Sequence, residues 1–353
     1  MLRGRTLIGA PTVLAGCGAV LAVVTLSAPG TAWSSPAQAP TASAVTAAAP
    51  TVPPGPNSAH LPGTRCRAFP ADNYWHADVS RLKVNVRSAQ WLSHMQVSTR
   101  RLHADFGPSY GAQPVPYGIP ITIVNRAPRV KVSFDYAAES NRVLYPLSSA
   151  TKIEGGAGAS GDRHAIVVDA ATCTLFETWN TQHLRSGWHA GSGAVWSLGS
   201  DALRPAGWTS SDAAGLPILP GLLRYDEVAA GRVDHAIRFT TDVTDRAYVW
   251  PARHQAGSVS NHAYPPMGAR FRLKASFPIS SYSKAAQVVL RAMKTYGLVL
   301  ADNGSPWFFQ GTSDTRWQSS LISQLARVPA SAFQAVDTAP LRISTSSAAA
   351  RRI

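Results

Sequence analysis

Alternating apolar and polar positions recur along the chain between residues 64 and 340. In VKVSFDY, residues 130–136, apolar and polar side chains alternate with the period of two that is typical of a strand with one buried face. The runs HAIVVD and CTLFETW flank the short turn DAAT and predict a β-hairpin. DHAIRFT, RAYVW and ARFRLKA are further short runs separated by turn residues, and each predicts another strand.

A second hairpin is predicted where LVLA and PWFFQ flank the turn DNGS. Its dipeptide Asn303-Gly304 is the strongest two-residue hairpin signal in the chain. On this interpretation the strands on either side of the turn pair directly with each other.

Helical periodicity is confined to a few segments. SYSKAAQVVLRAMKTYG, residues 281–297, carries an apolar face at helical spacing, and Gly297 is placed to end it. SSLISQLARVP predicts a second helix, and SAQWLSHMQVSTRRLH and LLRYDEVAAG show weaker patterns. Many short strands with few helices predict a mainly β fold: a single β-sandwich or jelly-roll-like domain with a few peripheral α-helices.

The first 34 residues have the layout of a secretory signal peptide, because two arginines precede a long apolar run and small residues. An uncleaved membrane helix and a lipoprotein cleavage at Cys17 are the alternatives. Residues 35–63 carry no charged side chain and predict a disordered Pro/Ala/Ser/Thr-rich spacer. We therefore expect a secreted, extracellular protein, free or tethered to a wall or membrane and not inserted in the membrane after signal cleavage. Its folded domain is expected at 64–340, with a disordered tail at 341–353.

Cys66 and Cys173 are the two cysteines of the mature chain. Export to an oxidising compartment favours a disulfide between them, and two buried free thiols are the alternative. The sequence contains neither a CxxC motif nor a Cys/His cluster, so we expect neither a metal nor another cofactor.

The formal net charge is +14, and it falls to +12 once Arg3 and Arg5 leave with the signal. Such an excess favours an anionic partner, although charge that serves only solubility is an equal alternative. We expect the partner of this protein to be an extracellular polysaccharide or a cell-wall polymer. A nucleic acid is less favoured, because GDRH lacks the glycine that secreted nucleases carry between Arg and His.

The glycine-rich loop before HAIVVD lacks the Lys-Ser/Thr and the following helix of a phosphate-binding loop. Asp162 and His164 lie two residues apart at the entrance to the strand and form a candidate acid–base pair. A structural hydrogen bond that closes the loop is the competing interpretation.

An unusually long irregular stretch follows, from Gly187 to Gly221. Trp188, Trp196 and Trp208 could stack on sugar rings beside His189, or could simply be core residues. The stretch contains no Gly-x-Ser-x-Gly nucleophile motif.

Cationic and carboxylate side chains complete the candidate site. In ARFRLKA the cations alternate and could line a groove for an anionic substrate, or form the solvated face of an outer strand. These cations are Arg270, Arg272 and Lys274. The remaining substrate-binding candidates are His254 and Trp307. Asp302 is a candidate acid or base, although it is equally suited to form a turn. Glu177 and Asp201 are further acid–base candidates.

The runs GDRH, WHAGSGA, LRPAGWTSSDAAGLPILPG, YVWPARH and ADNGSPW resemble those of a group of exported bacterial proteins that carry them in this order. The resemblance covers nearly the whole domain. It implies an exported single domain and assigns no catalytic residues.

Together these features predict a secreted glycan-active enzyme, a polysaccharide hydrolase or lyase. Its expected substrate is an extracellular polysaccharide, and an anionic polysaccharide is one candidate. The alternative is a non-catalytic protein that binds cell-wall or other glycans.

Overall fold

The computed structural model describes residues 60–110, 115, 117–156 and 158–353. The predicted signal peptide and most of the predicted spacer lie outside these residues. The described residues form a mainly β domain with three sheets and four α-helices, and the predicted fold class is confirmed. They all belong to one compact unit, Pro53–Ile353. None of the helices in this part of the chain is long and apolar enough to cross a membrane.

The largest sheet has six strands. In spatial order they are β1 (His103–Asp105), β12 (Phe308–Gln310), β9 (Ile237–Thr241), β11 (Leu298–Asn303), β10 (Arg270–Leu273) and β13 (Phe333–Val336). The pairs β1–β12 and β9–β11 are parallel and the other neighbours are antiparallel.

Two smaller sheets complete the domain. One contains β2 (Ile121–Val124), β4 (Ala165–Asp169), β5 (Thr174–Trp179) and β8 (Ser192–Ser197). The other contains β3 (Val132–Phe134), β7 (Gly187–Ala190) and β6 (Gln182–Leu184).

The four-stranded sheet is buried on both faces. Val167 and Phe176 pack against Val132 and Trp188 of the three-stranded sheet, whereas Ile166 and its neighbours pack into a separate apolar cluster. This two-sided burial explains why HAIVVD has a continuous apolar run instead of strict alternation.

The first predicted hairpin is confirmed, because β4 and β5 pair antiparallel from Ala165↔Thr178 to Asp169↔Thr174. The predicted disulfide is confirmed as well: Cys66 and Cys173 are bonded across 107 residues of sequence. It ties the start of the domain to the turn of this hairpin.

The second predicted hairpin is wrong. Strand β9 lies between β11 and β12, so the strands that flank DNGS do not pair with each other. The turn instead carries the chain over the end of β9, where Gly304 and Trp307 donate backbone hydrogen bonds to Thr241 and Thr240. RAYVW is not a strand either, and it contacts the chain through isolated bridges such as Tyr248↔Met267.

The helices are α1 (Ser88–Ser93), α2 (Tyr225–Ala229), α3 (Lys284–Thr295) and α4 (Ser319–Leu325). The longest, α3, begins where Ser283 accepts a hydrogen bond from the Ala286 N–H. It ends before Gly297, as predicted; this glycine adopts φ +74°, and a Cβ at this position would clash with the Phe271 carbonyl oxygen.

Both predicted boundaries of the domain need correction. Leu61, placed in the spacer, is buried in the apolar cluster beneath the four-stranded sheet. The segment 341–353, predicted to be a disordered tail, is packed on the domain: Leu341 is buried, and Ser347 and Ala350 form bridges with Ala202 and Arg342.

Candidate functional site

A cavity of about 270 Å³ opens where the six-stranded and four-stranded sheets meet. Three aspartates line it: Asp302 at the end of β11, Asp162 in the loop before β4, and Asp212 in the loop between β8 and α2. The remaining polar and aromatic lining includes Tyr136, Glu139, Trp179, Ser210, Ser211 and His254. The described lining contains neither lysine nor arginine.

Arg238 holds two of these aspartates from below. Its side chain in β9 is 2% exposed, its Nε donates to Asp212 Oδ2 at 3.1 Å, and its Nη2 donates to Asp302 Oδ2 at 3.4 Å. Burial would lower the pKa of Arg238, but the two carboxylates outweigh it and raise the pKa. The guanidinium is therefore a permanent cation between two acids.

The two carboxylates nevertheless resist ionisation. Burial raises the pKa of Asp212 to about 7, against the attraction of Arg238. Burial also raises the pKa of Asp302; Arg238 and His164 oppose it, and the charge of Asp162 adds to it. A carboxyl group that keeps its proton near neutral pH can serve as a general acid.

Two cavity residues have unused hydrogen-bonding atoms. Asp212 Oδ1 and Ser211 Oγ are buried and find no hydrogen-bond partner among the described residues. Buried polar atoms are normally satisfied, so these two unpaired atoms are exceptions among the described residues.

Asp162 and His164, the candidate acid–base pair, have different hydrogen-bond partners. Asp162 Oδ1 accepts from Trp179 Nε1 at 3.2 Å. His164 is buried behind the cavity, where Nδ1 lies 2.6 Å from Glu154 Oε2 and Nε2 lies 3.1 Å from the Ser211 carbonyl oxygen.

Both ring nitrogens of His164 face acceptors, so both hydrogen bonds require the protonated imidazolium. Burial would lower the pKa of His164, but Glu154 outweighs it and raises the pKa to about 9. His164 is thus a buried cation that positions Ser211, and at neutral pH it cannot act as a base.

Two other predicted acid–base residues, Glu177 and Asp201, do not line the aspartate cavity. Glu177 is completely buried and accepts the backbone N–H groups of Ile218 and Leu219 at 2.8–3.1 Å. Burial raises its pKa to about 7 although both N–H groups oppose the shift. Asp201 accepts from Asn73 Nδ2 at 2.6 Å beside a cleft of about 10 Å³, too small for a sugar.

None of the four predicted tryptophans lines the aspartate cavity. Trp188 stacks on His183, and Trp307 is fully buried with its Nε1 donating to the Met95 carbonyl. Trp196 and Trp208 both lie beside the Arg204 guanidinium. The aromatic side chains of the cavity are instead Tyr136 and Trp179, whose ring centroids are 6.3 Å apart.

Of the three predicted cations at β10, only Arg270 lines a cavity of the described residues, one of about 550 Å³ that Arg253 and Arg342 also line; Arg272 and Lys274 do not line it. Arg270 is fully buried and donates to the backbone carbonyls of Tyr74, Ala77 and Tyr296. Arg272 donates to the Val79 and Ser80 carbonyls, and Lys274 to that of Ser331. These cations satisfy backbone acceptors of neighbouring segments, so a substrate anion would have to compete for them.

The two histidines predicted to bind substrate lie in different parts of the domain. His254 lines the cavity, with Nδ1 2.9 Å from the Ala213 carbonyl oxygen. His189 lies in the three-stranded sheet and pairs with Asp135 at 3.2 Å. In the described ranges, no group of three or more His, Cys, Asp or Glu side chains is arranged to hold a metal ion.

Asp162, Asp302 and His254 are thus the sequence-predicted residues that line one cavity. Sequence reasoning missed Asp212, Arg238, Tyr136 and Trp179. A lone arginine within the apolar strand DHAIRFT was the one available signal, because a charge on a buried strand needs a partner. No family model, curated protein or solved structure matches the chain.

Proposed function

We propose that the domain hydrolyses glycosidic bonds of an extracellular polysaccharide in the aspartate cavity. One observation carries the proposal: two accessible carboxylates, Asp162 and Asp302, share a cavity in which burial raises the pKa of Asp302. Glycoside hydrolysis uses a pair of carboxyl groups at the scissile bond, one as general acid and one as base or nucleophile.

The roles follow from exposure and charge. Asp302, with a quarter of its side chain exposed, is the general acid that protonates the leaving oxygen. Asp162, which is exposed, is the base or nucleophile. Asp212 has no exposed side-chain surface, so it acts as a positioning residue through Arg238.

Tyr136 and Trp179 provide apolar ring surfaces at the cavity on which a sugar could stack. The chemistry of the lining favours a neutral sugar and a hydrolase. A lyase needs a cation to neutralise a uronate, and the described lining holds carboxylates with no lysine or arginine.

The test is cleavage of neutral and acidic polysaccharides by the purified protein, followed by new reducing ends and by absorbance at 235 nm. Reducing ends without absorbance support hydrolysis. Asp302→Asn and Asp162→Asn should each lower the rate by about 10²–10⁴-fold. Asp135→Asn, a matched change outside the cavity, should leave the rate unchanged.

The second candidate is a non-catalytic glycan-binding protein, which the Tyr136–Trp179 pair favours on its own. It would give no products from any glycan. Retention on one glycan would then depend on Tyr136 and Trp179 and would survive both aspartate changes.

A further inference from the structure

A second cavity, of about 560 Å³, shares no lining residue with the aspartate cavity. Its lining includes the apolar side chains of Leu61, Ile121, Ile123 and Ile153. It also includes the charged side chains of Lys152, Arg224, Asp226, Asp314 and Arg316. The lining is therefore both apolar and charged.

Arg224 is the unusual group in this cavity. Its side chain is 3% exposed, and its Nη2 donates to Glu227 Oε1. Its Nε and Nη1 are buried without a hydrogen-bond partner among the described residues. Asp226 Oδ1 forms an ion pair with Nε at 3.7 Å, which is beyond hydrogen-bonding distance. Buried cationic donors without an acceptor are costly. A bound molecule that carries an acceptor would therefore be stabilised at this position.

The carboxylate that pairs with Arg224 is shared. Glu227 Oε1 accepts from Arg224, while Oε2 lies 3.1 Å from His235 Nε2. His235 is itself buried, with Nδ1 2.8 Å from the Ala236 carbonyl oxygen. Glu227 therefore leaves the Nε and Nη1 donors of Arg224 unsatisfied.

The other charged residues of the lining are one matched pair, one acid and one unpaired lysine. Arg316 is matched by Asp314, which it contacts at 2.7 Å. Asp226 is the acid that lies 3.7 Å from Arg224. Lys152 is exposed and makes no ion pair with any described residue. The unsatisfied donors of Arg224 and the ammonium of Lys152 are therefore the groups that an anion would contact.

We propose that this cavity binds a small organic monocarboxylate, with the carboxylate on Arg224 and Lys152 and an apolar body against Leu61, Ile121 and Ile123. A carboxylate provides the acceptor that the buried guanidinium lacks. A dianion such as a phosphate monoester fits less well, because Asp226 and Asp314 line the same cavity and repel a second negative charge. The proposal is independent of the proposed hydrolysis, since the two cavities are lined by different residues.

The test is calorimetric titration of the intact protein with four probes: octanoate, acetate, octanol and octyl phosphate. Octanoate should bind at least about tenfold more tightly than octanol, because it alone of these two makes charge-assisted hydrogen bonds. It should also bind more tightly than acetate, which lacks the apolar body. Equal affinity for octanoate and octanol, tighter binding of octyl phosphate, or no binding of octanoate would each overturn the proposal.

Variants locate the site. Lys152→Gln and Ile123→Ser, both at exposed or partly exposed positions, should each weaken octanoate binding several-fold. Their matched controls, Lys131→Gln and Val143→Ser, are exposed outside the cavity and should leave binding unchanged. Equal effects of variants and controls would place octanoate elsewhere.

Arg224→Gln should abolish octanoate binding if the variant still folds, and circular dichroism checks this. The exposed-site variants keep the proposal falsifiable if it does not fold. Loss of octanoate binding in these variants should leave any glycan cleavage unchanged, so failure of one proposal is distinguishable from failure of the other.

Discussion

Replacing Arg238 with methionine tests whether this arginine stabilises the ionised form of the two carboxylates that it contacts, Asp212 and Asp302. The change removes one buried cation and its hydrogen bonds to Asp212 and Asp302, at 3.1 and 3.4 Å. Methionine retains much of the side-chain volume, so cavity formation contributes little. What remains is the electrostatic consequence of leaving buried carboxylates without their counter-ion.

The loss of unfolding free energy that we expect from this replacement depends on pH. Burial already raises the pKa of Asp212 from 3.8 to about 7 with Arg238 present, and loss of the cation raises it further. An aspartate whose folded pKa lies above its unfolded pKa binds more protons in the folded state between the two values. Its contribution to stability is therefore lost as pH rises through that interval. Asp302 shifts in the same direction.

At pH 8, Arg238→Met should lower the free energy of unfolding by about 3–5 kcal/mol, the usual effect of breaking a buried ion pair. At pH 5, where Asp212 is largely protonated, the loss should fall to about 1–2 kcal/mol, the value of lost hydrogen bonds. The assay is urea unfolding at both pH values. Arg327→Met, at an exposed position, should cost under about 0.5 kcal/mol at either pH. Equal losses for Arg238→Met at pH 5 and pH 8 would refute the reasoning.

Three further expectations concern the fold and the cavity. Glu177→Gln should remove a decline in stability of about 3 kcal/mol between pH 4.5 and 7, because burial raises the folded pKa of Glu177 from 4.5 to about 7; urea unfolding across that range would contradict this if both proteins declined equally. Replacing Cys66 and Cys173 together should lower the free energy of unfolding by up to about 4–5 kcal/mol, since the bond closes 107 residues; chemical denaturation measures this, and an unchanged value would show that the loop is constrained by other contacts. Tyr136→Ala should weaken oligosaccharide binding by about threefold to tenfold, because an aromatic contact is lost, while the melting temperature stays unchanged because the ring is 53% exposed; unchanged affinity in calorimetry would exclude Tyr136 from the sugar site.

Local pattern predicted most elements, because each depends on neighbouring residues. The β4–β5 hairpin, strands β9 and β10, and helices α3 and α4 all fall where periodicity and end signals place them. The pairing after Asn303-Gly304 was wrong for a physical reason. A hairpin dipeptide specifies a tight turn, but it does not specify which strand lies beside the next one, and β9 occupies that position.

The site was harder to predict because its key contacts join distant parts of the sequence. Arg238 reaches Asp212 across 26 residues and Asp302 across 64. Asp162 and Asp302 could be chosen as isolated carboxylates next to strands, but nothing local shows that they share a cavity. Tyr136 and Trp179 lie outside the tryptophan-rich stretch, and no local pattern in the sequence distinguishes them from other strand aromatics.

Charged residues within apolar strands mark where alternation fails in this chain. Glu177, Arg238 and Arg270 each interrupt a strand, and alternation would place each on a solvated face; all three are buried. Both faces of these strands are covered, so each charge had to find a partner: backbone N–H groups for Glu177, two aspartates for Arg238 and three carbonyls for Arg270. Because desolvating an unpaired charge is so costly, a single charge in a buried strand predicts a specific partner from elsewhere in the chain. For Arg238 the partners are Asp212 and Asp302, and both aspartates line the cavity.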